Sequence, residues 1–547
     1  MRVSEGHATR VAASARVGAG RSLGRRPVGW RALPAVVLTA LTGLGLALRL
    51  VVADQSLFAD ELSTFWVVST NGLAGVVSAV HTDVEITPPL FFVAAWLAAQ
   101  IDVTPELLRA PSLLAGTATI PLTYLLGLRT VGRGAALVAA ALTTLSPFMI
   151  FYSAEARGYA FMVAVLLLST LALLDAVDNR RGLSWVAYAV CACAAVYTHY
   201  TSVFALGAQL LWLLWAHPEA RKPALLATVG AALAFLPWLS GLRADFNSPT
   251  TDIVDSFNTV DLGSVRINLL HWAAGHPLVL PNTSLSALPG NPALVLLALG
   301  VAVALVGVAL TAVREGLGSW TGRVDRRLML VIVLALSVPA GAALMSTVGP
   351  NLFGARYLAA SWPALALSVA ALLVAPPPWL RVVAVALVVA ASAIAAVKLL
   401  RPDLGRPEYQ TAAGLIERAA APGDVIIDAT DYSPAPPTGI DAALQSRGRV
   451  FHVGEARVQY DPFKVLAGPP DPAEMTARAA RAADGARIFI VASESVFAQS
   501  SPLEVPTNQQ VTDALPAGFR LTETRTYPGI LRLAVLVYSS HRAPPRE

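Results

Sequence analysis

Eleven apolar runs, each near the length of a bilayer-spanning helix, dominate the 547-residue chain and restrict what it can become. A helix rises 1.5 Å per residue, so ~20 apolar residues cross a hydrocarbon core about 30 Å thick. The runs lie at 34–53, 107–128, 134–152, 159–175, 184–199, 202–216, 224–242, 291–313, 328–347, 357–375 and 382–400. Only 14% of residues are charged and mean hydropathy is +0.60, whereas a soluble domain carries about 25% charge. The expectation is an α-helical polytopic membrane protein. The net charge of +5 is spread over the N-terminal tail and short loops. That distribution argues for orientation signals and against nucleic-acid binding. Cys191 and Cys193 stand two apart in one apolar run and do not face each other on a helix, which argues against a disulfide or a metal pair.

Residues 1–33 read as a disordered cytoplasmic tail, not a cleaved leader, because the following run is long enough to span and shows no small-residue cleavage site. Pro88–Ile101 is apolar but short and reads as an interfacial or re-entrant helix. With the N-terminus inside, the loops 129–133, 178–182, 217–223, 314–327 and 376–381 all carry Arg or Lys on the cytoplasmic side. The loops 54–106, 153–158, 199–201, 243–290 and 348–356 then fall outside and are poorer in basic residues, as the positive-inside rule requires. The transmembrane domain is placed at 34–400, with a catalytic first outer loop at 54–106. Residues 401–547 are polar. Short β-like runs at 425–428, 449–453, 487–492 and 531–538 alternate with helical stretches at 409–421 and 472–484, the pattern of a small extracytoplasmic α/β domain.

This topology gathers the unusual polar residues on one face. Asp60 and Glu61 follow the first span, and His81, Asp83 and Glu85 share their loop. Glu155 and Arg157 lie in the second outer loop, His199 and Tyr200 at the third turn, and Arg356 and Tyr357 at the fifth. Adjacent carboxylates are costly in lipid and mark a water-filled functional site. Carboxylates beside arginines at a membrane surface suit transfer from a lipid-linked sugar phosphate. Arginine grips phosphate bidentately, and a carboxylate takes the proton of an attacking hydroxyl. No glycine-rich nucleotide loop follows a strand, which fits a donor used where soluble nucleotides are absent.

The stretches ADELS (59–63), HTDVEITPPLFF (81–92), LLRAPSLLAGTATIPLTYLLG (107–127), SPFMIFYSAEARGYA (146–160), THY (198–200) and ARYLAASWPALAL (355–367) resemble the membrane glycosyltransferases of the GT-C fold. The likeness is strongest to the family 39-like branch related to protein O-mannosyltransferases and aminoarabinose transferases. Residues 406–427 resemble the start of the outer domain in such proteins. The chain departs from the pattern at Glu85–Pro89, where relatives often read His-Pro-Pro. The resemblance implies Asp60 as catalytic base, Glu61 as its support or as a group placing the acceptor, and Glu155 as an organiser of the site or a ligand of a divalent metal. It implies Arg157, His199 and Arg356 as donor-phosphate groups. His81, Asp83, Tyr200 and Tyr357 are candidates for acceptor or sugar binding.

The function expected from the sequence is an inverting transferase of the plasma membrane. It moves a sugar, mannose as first choice, from a polyprenyl phosphate to an extracytoplasmic acceptor. No cofactor is required by the sequence, and a divalent metal stays open. Ala-, Arg- and Gly-rich usage points to a high-GC bacterium and so to a cell-envelope lipoglycan such as lipoarabinomannan. Pentosyl transfer, protein O-mannosylation and a lipid-linked sugar flippase are the alternatives. A flippase would show polar groups at mid-membrane and repeat symmetry, and neither is visible.

Overall fold

The computed structural model describes residues 28–81, 85–249, 251, 261–275, 288–315, 325–349, 351, 353–420, 424–429, 439–446, 458–459, 487–493 and 518–540. It divides into two units, Met1–Ala40 and Leu41–Glu547. Of the first, residues 28–40 are described and are helical.

Helices occupy all eleven expected spans. They are α1 (Val28–Ala53), α5 (Pro105–Thr130), α6 and α7 (Arg133–Leu145, Pro147–Ser153), α8 (Tyr159–Asn179), α9 (Gly182–Thr198), α10 (Ser202–Ala216), α11 (Arg221–Phe235), α14 (Asn291–Glu315), α15 (Arg326–Val348), α16 (Trp362–Val374) and α17 (Pro378–Leu399). Between them lie the shorter α2 (Asp60–Thr70), α3 (Leu73–Val80), α4 (Leu90–Ala99), α12 (Leu239–Phe246) and α13 (Leu262–Ala274). Among the described residues eight helices are long and apolar enough to cross a membrane, or nine if the bent α6–α7 pair is one span. The expected spans at 184–199 and 202–216 are apolar helices of only 17 and 15 residues. The 88–101 segment forms the ten-residue α4.

Local chemistry explains the breaks. Ser146 caps α7 by accepting from the Met149 N–H at 3.2 Å, with Pro147 behind it. A proline here has no N–H to lose and cannot continue the helix before it, so the pair bends by 61°. Thr104 with Pro105 starts α5 in the same way.

The helices pack through small residues, as expected where lipid supplies no hydrophobic drive between them. A Cβ at Gly116 of α5 would lie 2.0 Å from Ser153 Oγ, and one at Gly300 of α14 would lie 2.6 Å from a Val388 methyl of α17. Arg49 is fully buried, donating to Ser153 Oγ at 3.0 Å, Gly45 O at 2.9 Å and Thr143 O at 3.2 Å. At the far ends of α5 and α8, Arg129 and Arg327 close on Asp178 at 3.9 and 2.6 Å, tying α5, α8 and α15 together.

After α17 the chain builds an α/β layer from α18 (Tyr409–Ala419), α19 (Gly439–Ser446) and five strands, β1 (Val425–Ala429), β2 (Val458–Gln459), β3 (Arg487–Ser493), β4 (Phe519–Tyr527) and β5 (Leu533–Ser540). Their order is β2-β1-β3-β5-β4. β1 runs parallel to β2 and β3, and β5 lies antiparallel between β3 and β4. The expected strand at 449–453 and helix at 472–484 lie outside the described residues, while β4 was not foreseen. Its alternating Thr, Glu and Arg give an exposed edge with little apolar signal.

Gly116→Ala places a methyl against Ser153 and should destabilise the helix bundle by ~1–3 kcal/mol. Gly134→Ala, where a Cβ meets nothing within 4 Å, is the control. Unfolding curves in detergent check this, and equal midpoints would show that α5 and α7 are not in close contact.

Candidate functional site

The α1–α2 corner carries the two carboxylates, and the bundle treats them in opposite ways. Glu61 is fully buried. It accepts from Arg109 Nε at 2.7 Å and Nη2 at 2.6 Å, from Ala156 N–H at 2.8 Å and from Phe58 N–H at 3.3 Å, with Arg406 Nε at 3.2 Å. Burial opposes its ionisation, but Arg109 and Arg406 outweigh this and hold the carboxyl below its usual range. Glu61 therefore has no surface with which to meet an acceptor. It braces the corner.

Asp60 keeps a third of its side chain exposed and pairs with Arg356 Nη1 at 2.6 Å. Burial works against the charge there too, yet Arg356 and Arg157 keep its carboxyl depressed and ionised. Ala59, just before it, has φ 52° and ψ −126°. An alanine in this region costs roughly 1–3 kcal/mol and persists only where surroundings impose it.

The turn between α7 and α8 completes the centre. Its middle residue, Ala156, is gripped on both sides of the peptide: its N–H donates to Glu61, and its carbonyl accepts from Thr64 Oγ1 at 2.9 Å. Glu155 and Arg157 flank it. Glu155 is buried, and its Oε2 has no hydrogen-bond partner among the described residues. Burial, then the negative charges of Glu61 and Asp60, push its carboxyl up to about 7. Arg157 does not pair with its neighbour. It grips Glu85 at 2.9 and 3.0 Å, and Ser63 also donates to Glu85. This leaves Arg356, nearly half exposed, as the guanidinium open to an incoming anion.

His199, at the end of α9, is buried and its pKa is lowered to about 3 by burial and by Arg157 and Arg356. Thr201 N–H donates to Nδ1 at 3.3 Å, which puts the ring proton on Nε2. That Nε2 has no partner among the described residues. The ring stands 5.3 Å from Tyr159 and 5.9 Å from Tyr357, and Tyr159 lies 4.9 Å from Tyr152. His199 is thus a neutral, preset donor inside an aromatic enclosure.

Six of the expected residues, Asp60, Glu61, Glu155, Arg157, His199 and Arg356, come together here, and Tyr357 borders them. His81 and Tyr200 belong to a separate group. His81 packs edge-on against Trp238 and approaches Ser240 at 3.3 Å, while Tyr200 donates to Asp245 and accepts from Trp238 Nε1 at 3.0 Å. Asp83 lies outside the described residues. Sequence reasoning missed Arg109 and Arg406. A lone arginine inside the apolar α5 is itself a signal, because such a charge needs a buried partner. Arg406 offers none, since it sits in an ordinary polar stretch. Among the described residues no three His, Cys, Asp or Glu side chains gather as a metal site.

Residues 87–240 match the family model described as dolichyl-phosphate-mannose-protein mannosyltransferase. The match includes Glu155, Arg157 and His199 but ends before Arg356 and begins after Asp60. No curated protein matches the chain in sequence. Among solved structures it is similar to ArnT from Cupriavidus metallidurans bound to undecaprenyl phosphate, with TM-score 0.54 and 13% identity over 95% of this chain and 100% of that one. The Archaeoglobus fulgidus oligosaccharyltransferase AglB, in complex with an inhibitory peptide and a dolichol-phosphate, gives TM-score 0.48 and 13% identity over 85% and 70%. The chain has the GT-C glycosyltransferase fold.

The site makes a pH prediction. Glu155 holds its proton to about 7 when folded but only to its ordinary 4.5 when unfolded, so folding takes up a proton between these values. The folded state should lose this contribution as pH rises through that window. Thermal unfolding of wild type against Glu155→Gln checks it: the wild type loses ground between pH 4.5 and 7, and parallel curves would remove the assignment.

Proposed function

We propose that this protein is an integral membrane glycosyltransferase. It transfers a sugar, mannose as first choice, from a polyprenyl-phosphate donor to an acceptor hydroxyl on the extracytoplasmic face. The observation that carries the proposal is the Asp60–Arg356 pair, half-open to solvent beside buried Glu155 and the unpartnered His199 Nε2. The family match at 87–240 and the fold shared with ArnT support it. The positive-inside pattern supports the orientation. A cell-envelope glycan or lipoglycan is the proposed acceptor.

The chemistry follows from the charges. Ionised Asp60 takes the proton of the acceptor hydroxyl as that oxygen attacks the anomeric carbon. The bond from carbon to phosphate oxygen breaks, its electron pair leaves on the phosphate, and Arg356 with the His199 Nε2–H stabilises the charge. Direct displacement inverts the anomeric centre. Arg157, committed to Glu85, contributes its field instead of a direct grip. Glu155, titrating near 7, is suited to hold a proton at the site while Asp60 stays charged. The pairing of two carboxyls with separated proton affinities is the usual mark of distinct acid–base roles.

The test uses purified protein in lipid nanodiscs with radiolabelled polyprenyl-phosphate mannose and an envelope glycan acceptor. Asp60→Asn should lower transfer ~100-fold or more, and Arg356→Lys should raise the KM for donor. Equal transfer by Asp60→Asn would remove Asp60 as base. Movement of lipid-linked sugar across vesicles without transfer would favour a flippase.

A further inference from the structure

The segment 55–61, which delivers Asp60, is held from outside the helix bundle as firmly as from within it. From within, Arg109 donates to the carbonyls of Ala53, Gln55 and Ser56. Further contacts come from the C-terminal α/β layer. Arg406 N–H donates to Gln55 Oε1 at 3.1 Å, and Gln410 N–H to Ser56 Oγ at 2.8 Å. The Arg406 guanidinium meets Glu61 and lies over Phe151 at 4.6 Å. Phe58, only 4% exposed, is part of the core formed by Tyr409, Ile416, Ile440 and Phe489, and Ala59 packs against the same core. Between Phe58 and Glu61, Ala59 has left-handed backbone at φ 52°. Left free, an alanine leaves that region; here both neighbours are fixed.

We propose that the C-terminal α/β layer is a positioning element of the Asp60 centre: by gripping Phe58, and Glu61 through Arg406, it imposes the left-handed turn at Ala59 that aims the Asp60 carboxylate. Phe58 and Arg406 are positioning residues, acting through Asp60. The kinetic part of this inference rests on the proposed role of Asp60, whereas its structural part does not.

The test uses the full chain in nanodiscs as wild type, Phe58→Ala, Arg406→Gln, and each of these combined with Ala59→Gly. Two readouts are taken: carbodiimide labelling of Asp60 by peptide mass spectrometry, with Asp325 as control, and kcat and KM with polyprenyl-phosphate mannose. Releasing the clamp should raise Asp60 labelling severalfold with Asp325 unchanged. It should lower kcat ~10–100-fold while donor KM moves less than about threefold, as misaiming without lost binding requires. Glycine adopts φ 52° without steric cost, so Ala59→Gly should restore labelling and much of kcat in both backgrounds. A purely structural role predicts no such rescue. Unchanged Asp60 labelling in a folded variant, or failure of Ala59→Gly to restore it, overturns the proposal. If Phe58→Ala does not fold, the Arg406→Gln pair decides by the same criteria. Labelling that changes and is rescued in a protein that transfers from no donor keeps the clamp and removes the glycosyltransferase reading.

Discussion

One buried charge organises this molecule. Glu61 has no contact with solvent, and an unpaired carboxylate in such a place would be prohibitively costly. It is tolerated because two arginines and two backbone N–H groups surround it. Those donors come from a membrane helix, from the start of the C-terminal layer, from the α7–α8 turn and from its own corner. Satisfying a single side chain therefore forces four distant pieces of chain into one arrangement. Arg109 supplies the two shortest of these contacts, and Arg406 adds a third from the other side of the corner.

Around this hub, three carboxyls of similar intrinsic acidity acquire different characters. Glu61 is a permanent structural anion. Asp60 stays ionised because a partly exposed arginine faces it. Glu155 lies among apolar and negative neighbours and keeps its proton to about 7. Environment alone makes these differences. His199 follows the same logic in reverse, since burial next to two cations keeps it neutral, and the Thr201 N–H fixes which nitrogen donates.

Much of this was legible in the sequence, for identifiable reasons. The spans announce themselves because lipid demands long apolar runs, and Asp60, Glu155 and Arg356 stand out because charge is rare nearby. The division of labour between Asp60 and Glu61 was not legible. Adjacent residues on a helix point in different directions, and which one turns inward depends on Arg109 and Arg406, 48 and 345 positions away. The Arg157–Glu85 pair was hidden for the same reason, because a local reading pairs Arg157 with Glu155. His81 and Tyr200 share the loops of the site but bond to Ser240 and Asp245, a preference no loop assignment reveals.

The charge inventory of the cluster has a thermodynamic edge. Arg109, Arg157, Arg356 and Arg406 face Glu61, Glu85 and Asp60, which leaves one net positive charge before Glu155 is counted. An ionised Glu155 would cancel it, and so would a singly charged anion bound at Arg356. The two are therefore rivals for the same unit of charge. An anion bound at Arg356 would therefore favour the protonated form of Glu155 and its departure the ionised one, which would couple ligand exchange to proton exchange at one residue.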